Sequence, residues 1–169
     1  MEFTIRQAQP NDAEQLLEHI QLLLNEPGIP IPLQPGEFTL SVEQERQILT
    51  DALGSVSAAY FVAEAGGRLI GEINCRCGTR RAFSHVAMLG MSVHAEWRRR
   101  GVGCQLMAAA LAWAKSTGSV TRMELFVYAD NHAAIHLYEN FGFEVEGRRR
   151  QAVRQDGKFV DDLIMARLV

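Results

Sequence analysis

Met88-Leu-Gly-Met-Ser-Val-His-Ala-Glu-Trp-Arg-Arg-Arg-Gly-Val-Gly103 is the stretch on which the fold of this chain turns. Met88 to Val93 reads as the end of an apolar strand. Trp97 to Gly103 is a basic, glycine-broken turn, and a helix follows to about Thr117 with Leu106, Ala110, Trp113 and Ala114 as its buried stripe. Glycines at 101 and 103 let successive backbone N–H groups turn inward with no Cβ in the way. Those amides open a helix, where the macrodipole also favours negative charge, and Arg98, Arg99 and Arg100 add a positive rim. Together they suit a pyrophosphate. A Walker loop would need Lys where Cys104 follows Gly103, and a dinucleotide fingerprint would need glycine where Leu106 stands.

On the amino-terminal side, Glu2 to Ala8 alternates as a strand, and Pro10-Asn11-Asp12 breaks it and offers capping side chains. Leu16, Leu17, Ile20, Leu23 and Leu24 then mark a helix from Ala13 to Leu24. Glu26 to Gly36 holds four of the five prolines and can be neither helix nor central strand. Ser41 with Gln44 forms a capping box for a second helix to about Leu53. Ser57–Ala65 and Arg68–Gly78 read as strands joined by the hairpin signal Gly66-Gly67. Ser84–Val93 is a third strand, in which Gly90 marks a bulge or a close backbone approach. Beyond the third helix come a strand, Arg122–Tyr128, and a short helix, Asn131–Asn140. Two closing strands, Phe143–Gly147 and Phe159–Leu168, meet through Gln155-Asp156-Gly157. The order β-α-α-β-β-β-α-β-α-β-β, without repeat or linker, describes one domain over residues 1–169.

Composition excludes several classes. A net charge of -3 gives no global pull toward nucleic acid or an anionic membrane, and the arginine triplets lack interleaved aromatics. Three cysteines, Cys75, Cys77 and Cys104, are too few and too poorly spaced for a disulfide framework or a zinc site, so no metal is expected. The first ten residues lack a signal peptide's basic and apolar regions, and no apolar run could span a bilayer. A soluble, cytoplasmic protein is expected.

The pattern Arg98-x-x-Gly101-x-Gly103 after a strand resembles the pyrophosphate loop of the GCN5-related N-acetyltransferase (GNAT) superfamily. Asn131-His-Ala-Ala-Ile-His-Leu-Tyr138-Glu-Asn-Phe-Gly-Phe143 resembles that superfamily's Asn-x-x-Ala-x-x-x-Tyr-x-x-x-Gly-Phe segment, in the expected order. The resemblance covers the last two thirds of the chain. It implies an α+β fold, an α/β/α sandwich whose mixed, mostly antiparallel sheet of six to seven strands is flanked by about four helices. It also implies acetyl-CoA as acyl donor. By the same resemblance, Met91 and Val93 would bind the pantetheine arm through their backbones beside a splayed strand edge. Arg98, Arg100, Gly101 and Gly103 would cradle the pyrophosphate, Asn131 would hold the pantetheine side, and Tyr138 would face the sulfur and protonate the leaving thiolate. Transfer would be direct, with a neutral amine attacking the acetyl carbonyl.

An ammonium must first lose a proton. Glu124, Glu72 and His85 are the candidate bases, alone or through water; Glu124 is carried forward with Tyr138 as the catalytic pair. Each has a plainer reading. Tyr138 could fill core beside Leu137 and Phe141, Asn131 could cap its helix, and Glu124 could be the solvent side of an alternating strand. Gly142 to Gly147 and Asp156 to Arg167 resemble a bacterial branch holding L-amino-acid, spermidine and ribosomal-protein amino-terminal acetyltransferases. The amino-acid enzymes are the nearest likeness. The proline-rich loop Glu26–Phe38 and the turn Thr79–Phe83 should face the acceptor. Arg80 and Arg81 favour a carboxylate there, whereas Glu26, Glu37 and Glu43 could meet a cation. A small amine acceptor comes first and a protein amino terminus or polyamine second. A non-catalytic acetyl-CoA sensor is the reading from another class, and a homodimer through a sheet edge is compatible with either.

Overall fold

The computed structural model describes residues 2–34 and 36–169; Met1 and Pro35, the latter within the proline-rich loop, lie outside the described residues. Strands β1 (Thr4–Gln7), β2 (Ala58–Ala65), β3 (Arg68–Cys77), β4 (Val86–Val93), β5 (Arg122–Tyr128), β6 (Glu144–Gln155) and β7 (Lys158–Leu168) form one sheet ordered β1-β2-β3-β4-β5-β7-β6. Among the described residues only β4 and β5 run parallel. Helices α1 (Ala13–Leu24) and α2 (Val42–Ala52) pack on one face, while α3 (Val102–Thr117) and α4 (His132–Asn140) pack on the other. This is the expected mostly antiparallel α/β/α sandwich, with seven strands and four α-helices among the described residues. No helix among the described residues is long and apolar enough to cross a membrane.

Local chemistry explains most element ends. Gly66 and Gly67 both take positive φ (57° and 77°), as a two-residue hairpin turn requires. Ser41 accepts from the Gln44 amide at 3.2 Å while its own N–H donates to the Gln44 side chain at 2.8 Å, closing the capping box. The larger core lies between α3, α4 and the sheet, where Leu106, Met107, Met123, Leu125 and Phe143 are fully buried. Trp113 sits at the margin of the α3 stripe, half-buried, donating its indole N–H to the Ser55 carbonyl at 3.2 Å.

Three expectations change. Asp12 does not cap α1: its carboxylate turns back to the Gln9 amide (2.7 Å) and to the Arg6 guanidinium (2.6 and 2.8 Å). Gly90 marks no bulge against β3, since the β3–β4 register is unbroken, and no backbone approaches it closely; a Cβ there would stand 3.4 Å from the Asn74 side-chain nitrogen, at the edge of ordinary contact. The strand expected to stop at Gly147 continues to Gln155 across two register shifts. Its arginine-rich run has no apolar alternation to announce a strand. It is held by Arg148 on Asp161 (2.8 Å), Arg149 on Asp162, and the Gln151 amide on Asp161 (2.7 Å). The triplet Arg148–Arg150 is therefore part of a hairpin, two of its members ion-paired across it.

Candidate active site

Parallel strands β4 and β5 are paired only from Val86–Met88 to Arg122–Glu124. Beyond Met88 they part, and among the described residues no strand pairs with Leu89 to Val93 on that side, so their N–H and C=O groups not bonded to β3 face an open notch, except the Val93 carbonyl, which Arg98 takes. Met91 and Val93 lie on this free edge. At the mouth of the notch Arg99 (φ 60°) and Gly101 (φ 84°) both adopt left-handed backbone, a non-glycine departure at Arg99 that no local pattern announced. Gln105 is the first residue of α3 whose amide bonds back, to the Gly101 carbonyl at 3.1 Å, which leaves the amides of Val102, Gly103 and Cys104 without a helical acceptor. Gly103 has an ordinary φ. A Cβ there would make ordinary contacts, 3.6 Å from Met91 and 3.7 Å from Leu137, where β4, α3 and α4 converge.

The arginines divide their work. Arg98 donates to the Val93 carbonyl (2.9 Å) and to both carboxylate oxygens of Glu26 (2.5 and 2.7 Å), holding that carboxyl below its usual range. The loop after α1 is thereby tied to the basic turn. Farther along that loop, the Ile29 carbonyl accepts from Gln155 at 2.8 Å. Leu24, Asn25, Glu26, Ile29, Gln155 and Asp156 line an open cleft beneath this strap. Arg100 lies over the Trp97 ring, 5.3 Å from its centroid.

On the α1/α2 face, Glu72 of β3 stands opposite Ser92 of β4 and is buried. Its carboxyl accepts from Ser92 Oγ (2.9 Å) and Asn74 Nδ2 (3.3 Å). Burial, opposed by those hydrogen bonds and one from Tyr60, and reinforced by the charge of Glu45, pushes its pKa up to about 7. His19 of α1, also buried, meets Ser92 Oγ through Nε2 at 3.0 Å, and its Nδ1 has no partner among the described residues. Burial, with His94, Arg68 and Arg98 nearby, takes its pKa down to about 4.

From the opposite face α4 presents Tyr138, buried beside Phe143 with ring centroids 6.0 Å apart. Burial first, then the charge of Glu72, pushes its hydroxyl up to about 12. Asn131 caps α4 by accepting from the Ala134 amide at 3.2 Å. Glu124 stands opposite Met88 where the strands part, bonded to Arg122 at 3.1 Å; Arg122 also grips Glu146 at 2.5 and 2.8 Å. His85 is exposed before β4, its carbonyl accepting the Thr121 and Arg122 amides. Arg80 and Arg81 are exposed in the turn after β3.

His19, Ser92, Asn74 and Tyr60 belong to the site without standing among the candidates that the sequence offers. His19 carried a signal, lying three residues after Leu16 and four before Leu23 on the buried stripe of α1. The other three are single polar groups in strands covered on both faces, where alternation carries no message.

An open strand edge leading to a bare, basic helix start suits an extended thioester arm ending in a diphosphate, the arrangement of a coenzyme-A-dependent acyltransferase. The model of the acetyltransferase (GNAT) family matches residues 28–143. The chain is 35% identical over 108 residues to the L-amino acid N-acetyltransferase AaaT of Escherichia coli (strain K12), covering 64% of this chain and 67% of that protein. With an N-alpha-acetyltransferase of Sulfurisphaera tokodaii it shares 28% identity over 153 residues, 85% of this chain and 81% of that one. The crystal structure of a GNAT-family acetyltransferase from Streptococcus pneumoniae superposes with a TM-score of 0.93 at 28% identity, covering 99% of this chain and 100% of that chain. The chain belongs to the acetyltransferase (GNAT) family, and is an N-acetyltransferase with acetyl-CoA as acyl donor.

Gly101→Val tests the loop. A β-branched residue at φ 84° is strained by about 1–2 kcal/mol and turns the following amides. Affinity for acetyl-CoA, measured by calorimetry, should fall at least tenfold, on the order of 1.4 kcal/mol, with the far-UV circular dichroism spectrum unchanged. Unaltered affinity would mean that the diphosphate rests elsewhere.

Proposed function

We propose that this chain, acting as a single acetyltransferase domain, acetylates the primary amine of a free amino acid or a related small molecule. Glu72 is the base in this reading and Tyr138 the group that meets the departing sulfur. The observation that carries it is the Glu72 carboxyl, buried on the α1/α2 face without a cation, with a pKa raised to about 7. A base poised near neutrality takes a proton from an ammonium and still releases it in the next cycle. Glu124 is the rival carboxylate, but its charge is already matched by Arg122.

Acetyl-CoA supplies an activated acyl group, and the protein's part is placement and proton handling. The free edge Leu89–Val93 aligns the arm, Met91 and Val93 bonding it through their backbones. The amides of Val102, Gly103 and Cys104 receive the pyrophosphate with Gly101 and Arg100 at the rim, and Asn131 stands on the pantetheine side. Arg98 contributes by anchoring the strap through Glu26. Glu72 removes one proton from the ammonium. Tyr138 donates a hydrogen bond to the sulfur as its bond to the acyl carbon breaks, and the second proton lost by the nitrogen replaces the one that the sulfur keeps. The products are the amide and the free thiol.

A small acceptor is supported by the strap from Arg98 to Gln155, which narrows the acceptor side, and by the 35% identity to an L-amino acid N-acetyltransferase. The strap also admits the end of a polypeptide, and the 28% identity to an N-alpha-acetyltransferase favours a protein amino terminus as the second reading. Thiol release should be followed with acetyl-CoA and a panel of amino acids, polyamines and short peptides. Turnover confined to free amino acids bears out the first reading, and turnover confined to peptides replaces it with the second. Binding of acetyl-CoA without turnover on any amine returns the sensor. Glu124→Gln in the same assay separates the carboxylates: a loss within about threefold is expected, and a loss of a hundredfold or more moves the base to Glu124.

A further inference from the structure

We propose that His19, acting through Ser92, is the positioning residue of Glu72: a directed hydrogen-bond line from α1 to β4 to β3 aims its protons at the carboxylate and sets the pH at which it works. This rests on Glu72 being the base. Ser92 has one hydroxyl proton and gives it to Glu72 Oε1 at 2.9 Å. Its oxygen can then only accept from His19 Nε2, 3.0 Å away. A neutral imidazole has one N–H, so Nε2 carries it and Nδ1 is bare. Nδ1 is the nitrogen that is buried without a partner. A bare ring nitrogen is the tolerable one to leave there, because an orphaned buried N–H is rarer than an orphaned acceptor.

A serine hydroxyl alone rotates among acceptors, whereas one whose lone pair is occupied by a fixed N–H has its proton direction set. Asn74 holds the other carboxylate oxygen at 3.3 Å from the same face. The remaining groups facing Glu72 are Tyr60 on β2, Glu45 on α2 and, from α4, Tyr138. Glu45 and burial favour the protonated acid; Ser92, Asn74 and Tyr60 favour the carboxylate, Ser92 most. Facing His19 are His94, Arg68 and Arg98, all of which oppose a charged ring. A neutral, single-tautomer donor is what this setting maintains.

The test is the pH dependence of kcat/KM for the amine. Ser92→Ala should move the acid limb upward by about one pH unit, and Ser92→Thr should bring it back. His19→Phe should move the limb the same way, and His19→Gln, whose amide can still donate, should restore it in part. Lowered kcat with an unmoved limb in both Ser92→Ala and His19→Phe would reduce the pair to packing and overturn the proposal. Undiminished activity in Glu72→Gln would remove the base reading itself, a separate failure. Nitrogen NMR of the unaltered protein needs no variant to fold: an Nε2–H, bare-Nδ1 signal for His19 is expected, and the other tautomer or an imidazolium near pH 7 would overturn the line.

Discussion

Glu72→Gln should lower kcat for the amine by about 10²–10⁴-fold at pH 7.5, the range general-base removal produces. In the unaltered enzyme kcat/KM should rise with a midpoint near the value of about 7 that burial and Glu45 impose on this carboxyl; in the variant that limb should vanish. The same substitution makes a second, opposite prediction for stability. The carboxyl's folded pKa of about 7 lies above its ordinary value of 4.5, so the native state holds the proton more tightly than the unfolded chain does. The stability contributed by this carboxyl is therefore fully present below pH 4.5 and is lost as the pH rises from there through 7. Glutamine escapes that decline. At pH 8 the variant should be more stable by on the order of 3 kcal/mol, and near pH 4.5 the gain should disappear. Thermal unfolding at both pH values measures it. A variant that is inactive yet hardened at high pH identifies a group kept for chemistry at a cost in stability. An active variant would show that Glu72 is not the base, and one weaker at pH 8 would show that the hydrogen bonds to its carboxylate outweigh the cost of burying it.

Tyr138→Phe should reduce kcat by about 10²–10³-fold, as loss of one preorganised donor to a developing charge does, with KM for acetyl-CoA changed less than about threefold, or about 0.65 kcal/mol. Burial and the charge of Glu72 push this phenol up to about 12, so it stays protonated across the working range and should put no basic limb on the profile below that value. A phenol so weakly acidic does not hand its proton outright to a thiolate whose conjugate acid lies near 8.5. It donates a hydrogen bond as charge gathers on sulfur, and the proton moves only as the amine nitrogen sheds its own. Burst kinetics with thiol detection separate this step from product release. Equal rates in both proteins would leave Tyr138 as packing against Phe143, which its 6% exposure also permits.

The amino-acid sequence by itself determined what depends on neighbours along the chain. The Gly66-Gly67 hairpin, the Ser41–Gln44 capping box, the Asn131 cap and the bare helix start after Gly101 each need only a few adjacent residues. They are legible because backbone sterics and local hydrogen bonds act at short range. The family resemblance rested on two such local motifs, and the fold came with it. The choice among carboxylates was not legible, since Glu72 and Glu124 both sit in strands with apolar neighbours. What separates them is a counterion on one and burial without a cation on the other. Tertiary structure alone decided that His19, Ser92 and Glu72, carried by α1, β4 and β3, would form one hydrogen-bonded line, and that Glu26 would clasp Arg98 across 72 residues of chain. Such pairings are set by how the sheet registers and which helix covers it, and a carboxyl's proton affinity follows from the dielectric and the charges that packing puts around it.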